Sequence, residues 1–412
     1  MSARKQGHRL FDRYNLSVDL AVVGRDHLNV LPAAPIVAAV EQAAANPEPQ
    51  RQDLEVCAGP VGHQLVMRNA KSVKRPFKWV RKFNAATERL GAALDRSGAM
   101  LLPGGAHPFF LPKEQTTPGA LITNEVRAVR DAIFDTRSHG WTNDQALRLE
   151  LSFDGDAEFA RAHAAVRILL PLLPALCAAS PILEGRNTGS LDARLDAFLH
   201  AHERIPEIMG SLVPEPVFDQ DEYYRRILWP IAQALGPHDP GQVLDPQLMN
   251  ARGATAHFDR GVIAIDLMDG QECASANMAM AEFAVVVLKA LVSGRWVSTY
   301  LQRAWSDTDL LAILLNTIKE GDRSVISNRD YLVMFGLLKQ ERMPALKLLQ
   351  CLFVDLYGDL SANARQHIGM VLEHGCLASR ILARTGKRPS HERIRSAYAD
   401  LAVCCKEDRP FN

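Results

Sequence analysis

Four charged side chains interrupt apolar, β-type runs where a carboxylate or guanidinium is out of place unless it has work to do. Glu55 lies in Leu54–Cys57 beside a Gly-Pro turn, and a carboxylate on an inner strand needs a cation or another partner. Arg148 and Glu150 lie in Leu147-Arg148-Leu149-Glu150-Leu151-Ser152-Phe153, which alternates apolar and polar residues strictly. That period sends one set of side chains into a core and the other into a cleft. Asp266 interrupts Val262-Ile263-Ala264-Ile265-Asp266-Leu267 at the matching parity. His107 and His139 are further candidates in turns; a lone His is more often a structural hydrogen-bonder, the reading preferred for His139, and Arg252 and Arg260 flank a loop, where an Arg is usually solvated or paired with backbone carbonyls. Asp269 and Glu272 either belong to the same site or cap the helix that begins near Gln271.

Generic motifs add no enzyme class. There is no GxxxxGK[ST] loop, no GxGxxG after a strand and no GxSxG elbow; Gly104-Gly105 alone is too short to cradle a nucleotide. His202-Glu203 is followed by Arg204-Ile205-Pro206, not by the second His of a zinc helix. The seven cysteines are scattered without a CxxC pair, which suits a reducing, cytoplasmic compartment.

The elements that must position these residues are mixed. Strands are expected at Leu16–Val23, Leu54–Cys57, Met100–Leu102, Leu147–Phe153 and within Thr255–Met268, where Asp259-Arg260-Gly261 makes a hairpin turn. Helices are expected at Pro35–Ala45, Phe77–Leu94, Asp156–Leu173 and Gln271–Val292, and in several segments from Asp307 to Val403. Asp154 or Asp156 is expected to cap the third of these, with Pro171 and Pro174 breaking its end, and His163 and Arg167 are expected either at its surface or packed behind a site. With no repeat or linker, the 412 residues read as one α+β domain, a strand-containing core over about 14–300 and a helical part over about 301–412. Lys+Arg and Asp+Glu balance at 47 each, so no whole-molecule field favours nucleic acid or an anionic membrane. No apolar run of membrane-spanning length and no signal peptide behind the basic start are seen.

Several segments together resemble glutamate–cysteine ligase family 2, the carboxylate–amine ligases. They are Ile133–Asn143 with its His139-Gly140-Trp141, the 147–153 strand, Gly155–Phe159, Arg161–Arg167, Leu172–Leu176, Ser180-Pro181, Gly185-Arg186, Asp192–Leu195, Asn250–Ala254, Phe258–Arg260 and Asp269–Cys273. The resemblance implies a glutamine-synthetase-like curved antiparallel sheet backed by helices, with ATP and Mg²⁺ on its concave side. It implies phosphorylation of a carboxylate, such as glutamate's γ-carboxylate, and attack by an amine on the acyl phosphate. Asp19, Glu55 and Glu150 would then be the metal-holding residues, joined by Arg260 around the nucleotide, with Arg148 and Arg252 as catalytic phosphate contacts. Where the family carries Glu-x-Glu on its first strand, this chain has Ser17 and Asp19. Arg148 and Glu150 stand at a His and an Asn position, Ala264 and Asp266 at a Glu and an Arg position, and Cys57 at a basic one. Those replacements put ATP and Mg²⁺ in question and open a second reading, a catalytically inactive homologue that partners an intact paralogue. A homo-oligomer or such a heteromer is expected.

Overall fold

The computed structural model describes residues 8–44, 54–74 and 79–412. The ends of two expected helices, at Ala45 and Phe77, lie outside the described residues.

Among the described residues seven strands build the central sheet: β1 (Tyr14–Gly24), β2 (Leu54–Ala58), β3 (Gln64–Asn69), β4 (Ala99–Leu102), β5 (Ala146–Ser152), β6 (Ala254–His257) and β7 (Val262–Asp269). Their order is β2-β3-β1-β5-β7-β6, with β4 also paired to β1, and every pairing is antiparallel. β1 is long enough to pair with β5 through Tyr14–Val18 and with β4 through Ala21–Gly24 along one edge. A register shift between Leu147 and Leu149 interrupts the β5–β7 ladder, the kind of irregularity that bends a sheet.

The alternation that the sequence displays is obeyed. Leu16, Val18, Leu147, Leu149, Leu151, Ile263, Ile265 and, past the register shift, Met268 are buried on one face. Helices cover that face: α1 (Ala34–Ala44) and α2 (Trp79–Arg96) at one end, then α4 (Gly155–Leu169) and α6 (Ala274–Val292). Between them in the chain lie α3 (Asn124–Ile133) and α5 (Ala193–Leu199), which border the opposite face. α7 (Ala362–His374) packs on α6, while α8 (Leu377–Thr385) and α9 (His391–Glu407) enclose a second core with Ala21, Val23 and Leu102 of the sheet. The helical C-terminal part is thus seated on the end of the sheet. α6 and the Gly155–Cys177 segment are apolar and long enough to cross a membrane, but 83% and 89% of their apolar windows are buried inside the protein. They are core helices by packing.

Three local expectations change. α4 begins after Asp154, whose side chain makes no cap bond; Glu158 reaches back instead to the Asp154 N–H at 2.9 Å. His163 and Arg167 on α4 are buried, because their polar atoms find the Val217, Pro214 and Trp305 carbonyls. β2, which carries Glu55, is an edge strand and not an inner one, since the unanticipated β3 separates it from β1.

Candidate functional site

The face opposite the main core presents the intervening polar residues. In register across five strands run Glu55 (β2), Arg68 (β3), Ser17 (β1), Arg148 (β5) and, past the bulge, Asp266 (β7). A second row joins Asn15, Glu150, Ala264 and Thr255. Both rows, Thr255 apart, floor a cleft of about 700 Å³ that Asp19, Gln64, Asp144 and Arg260 also line.

Ion pairs order this floor. Arg148 donates to Asp19 and, at 2.7 Å, to Asp144, and its Nε lies 3.5 Å from Asp266. Asp144 accepts in turn from Arg194 of α5 at 2.9 Å, and Arg194 donates to Asp269. Glu150 is held by Asn15 at 2.6 Å and Arg260 at 2.9 Å, and Glu55 by Arg68 at 3.0 Å. The central network therefore sets four aspartates against two arginines, two negative charges in excess when all are ionised.

Burial and neighbouring charges compete in the proton affinities. Burial pushes the Asp19 carboxyl up, Asp144 adds to the rise, and Arg148 opposes it. Asp266 is raised to about 6, first by burial, against the pull of Arg148 and with help from Asp144 and Glu150. Burial acts on Asp144 the same way, but two arginines on one carboxylate reverse the sign and hold it low. Asp19 is 3% exposed, and although the Ala146 amide leans on its charge, Oδ1 has no ordinary hydrogen bond. Gln64 donates to the Asp144 carbonyl at 2.8 Å and leaves its own buried Oε1 without a partner. Two unsatisfied acceptors in one wall are an unmet demand for a cation or a donor.

The expected site residues are only partly gathered. Asp19, Glu55, Arg148, Glu150 and Arg260 all line the cleft. The three expected metal holders nevertheless stand on three strands, each matched by a different arginine, and among the described residues no group of three or more His, Cys, Asp or Glu is set to hold one ion. Arg252 lies outside the cleft, 3% exposed, with Nε and Nη2 on Glu215 at 2.6 and 2.5 Å and Nη1 on Asn250 at 3.0 Å. It fixes the turn at Gly210, where an added Cβ would fall 2.7 Å from its Nη2. His107 is equally occupied, its ring bridging the Leu28 carbonyl at 2.7 Å and the Phe109 N–H at 3.1 Å. Burial lowers it to about 4, so it is neutral and structural.

His139 lies 3.2 Å from Glu184 and 3.0 Å from the Asn143 amide, also a packing role. Asp269 and Glu272 are not helix caps: Asp269 accepts from Arg194, from the Ala179 N–H at 2.7 Å and from the Ser180 hydroxyl at 2.8 Å, and Glu272 pairs with Arg380 at 2.7 Å. Gly105 must be glycine here, because a Cβ would lie 2.2 Å from Asp269. Sequence reasoning passed over Asp144, Gln64 and Arg68. The last two sit on the unrecognised β3, where the short apolar run Leu65-Val66-Met67 between Gln64 and Arg68 was the available signal.

Against known proteins, residues 77–400 match the model of glutamate–cysteine ligase family 2. The chain is 31% identical over 220 residues to an uncharacterized protein of Archaeoglobus fulgidus, a match spanning 52% of this chain and 59% of that relative, under two thirds of its length. The glutamate–cysteine ligase of Francisella tularensis in complex with AMP has a similar structure, with a TM-score of 0.63 at 10% identity over 98% of this chain and 90% of that one. At that identity the likeness is one of fold.

Proposed function

The chain belongs to glutamate–cysteine ligase family 2, and from that premise we propose that it is an ATP-dependent carboxylate–amine ligase working on the concave face of the sheet. The observation that carries the reading is the acid-rich, incompletely satisfied network around Asp19 and Arg148 on the floor of the cleft.

In this reading Mg²⁺ would be held where Asp19 and Gln64 line the floor. Asp19 offers the unpartnered Oδ1, Gln64 offers Oε1, and the network has two negative charges in excess. Mg²⁺ commonly takes one or two carboxylates and leaves its other positions to phosphate and water. Bound there, it would screen the charge on a transferring phosphoryl group. Glu55 and Glu150, held by Arg68 and Arg260, serve this reading as walls that orient those arginines.

Arg148 and Arg260 are the groups that can turn from a carboxylate to phosphate oxygens without losing charge neutralisation. The substrate carboxylate oxygen takes the phosphoryl group and ADP leaves; the amine then bonds to the acyl carbon and phosphate leaves. The incoming amine must shed a proton to expose its lone pair. A carboxyl raised to about 6, as at Asp266, is a suitable acceptor near neutral pH. An amino acid such as glutamate and an amine are the partners this reaction requires.

The experiment is ADP release by folded protein with Mg²⁺ or Mn²⁺ across a panel of carboxylic acids and amines. Release that needs both an acid and an amine is the expected result, and none across the panel would sink the proposal. The inactive-homologue reading draws on a separate observation: Asp19, Glu55 and Glu150 each already have an arginine, and Ala264 offers only a methyl group. It expects neither ADP release nor Mg²⁺–ATP binding, and co-purification with an intact paralogue.

A further inference from the structure

Behind the cleft lies a second hollow of about 310 Å³, at the lower end of the roughly 300–1,000 Å³ of small-molecule sites. The two share Trp141, Asp144, Arg148 and Asp266 as a common wall. The far side of the hollow is different in kind. Arg194, 4% exposed by its side chain, spends Nε on Asp269 and Nη1 on Asp144, and its buried Nη2 has no acceptor. Arg130 of α3 lies over the Trp141 ring at 4.6 Å, pairs with no carboxylate among the described residues, and has a buried, unpartnered Nε. His202 is 5% exposed and its Nδ1 is likewise unpartnered.

The remaining wall is apolar and ringed. His202 packs at 4.6 Å from Trp141 and 5.4 Å from Phe198 (centroid distances), with Leu195 and Leu267 beside them. The two carboxylates on the shared wall are already matched, Asp144 by Arg148 and Arg194 and Asp266 by Arg148. Buried donors without acceptors are as costly as acceptors without donors, and here two of them, Arg130 Nε and Arg194 Nη2, border one hollow beside the buried His202 ring.

We propose that this hollow binds a carboxylate carried on a flat, aromatic body, with the acid group toward Arg130 and Arg194 and the ring among Trp141, Phe198 and His202. Paired guanidinium groups match a planar carboxylate, and the ringed wall rewards a body larger than an acetate or a free phosphate. Taken with the ligase reading, on which this last step rests, one of the joined substrates is an aromatic acid.

Calorimetry on the full chain, without nucleotide, tests the binding apart from any turnover. Benzoate is expected to bind once per chain, with acetate and inorganic phosphate at least about tenfold weaker. Arg130→Gln and, separately, Phe198→Ala are each expected to weaken benzoate about tenfold or more with near-UV circular dichroism unchanged. Absence of benzoate binding, equal affinity for acetate or phosphate, or benzoate affinity untouched by both folded variants would overturn the proposal. Because no ADP is measured, a chain that binds benzoate yet never turns over would refute the ligase reading alone.

Discussion

The cleft and the hollow meet at Asp144 and Arg148, yet they are left wanting opposite things. On the cleft side the unsatisfied buried atoms are acceptors, Asp19 Oδ1 and Gln64 Oε1; on the hollow side the guanidinium atoms Arg130 Nε and Arg194 Nη2 are donors. The difference follows from what builds each. The cleft floor is sheet, where parity forces short acidic and amide side chains into rows on β1, β3 and β5. Long arginines come to the hollow from α3 and α5. One ion-pair network thus separates a region suited to a cation from one suited to an anion.

The wall between them should be the most sensitive point. Asp144→Ala removes the acceptor of both Arg148 and Arg194, leaving the almost fully buried Arg194 with less than its charge requires. A loss of about 3 kcal/mol in denaturant unfolding is expected, the scale for breaking a buried ion pair. An unchanged midpoint would show that the two regions do not depend on a common wall.

Next in size come changes that should injure one region and spare the other. Arg130→Gln, which weakens benzoate, should leave Mg²⁺-dependent nucleotide binding in the cleft unchanged. If one substitution damaged both, the division drawn here would fail.

The pH dependence should be smaller. With the Asp266 carboxyl raised to about 6, it is protonated below that pH and becomes a base above it. Ligation should therefore rise as pH passes about 6 and level off, and Asp266→Asn should remove that rise. For stability the sign is opposite: the folded form holds this proton more tightly than the unfolded chain, so Asp266 lowers stability as pH climbs from about 4 to about 6. Asp266→Asn should flatten that limb of a stability–pH curve. Smallest of all, Ser17→Glu, which returns the expected carboxylate between Arg68 and Arg148, should tighten Mg²⁺ binding by no more than about tenfold, because Mg²⁺ must compete with two guanidinium groups. A Mg²⁺ titration of the variant against the native chain reads this directly.

Legibility divides along the same line. The strict alternation of 147–153 placed Arg148 and Glu150 on the cleft face, and the Asp259-Arg260-Gly261 turn marked the β6–β7 hairpin, because a period of two is a local signal. β3 was missed since six residues of mixed burial carry little periodicity, and with it went the partners of Glu55 and the true edge position of β2. Arg252, expected at phosphate, was bound to Glu215 by a contact 37 positions away, which no local pattern reveals. The hollow was invisible for the same reason: Arg130, Trp141, Arg194 and His202 belong to separate turns and helices that only the fold brings together.

Asp19 is where the account is most exposed, since it joins the unsatisfied oxygen, the arginine and the proposed cation. The direct measurement is acid- and amine-dependent ADP release by Asp19→Asn beside the native chain, once a substrate pair is found. Asparagine keeps the shape and removes the charge, so release should fall about a hundredfold or more with the fold retained. Equal release from the two proteins would contradict the account.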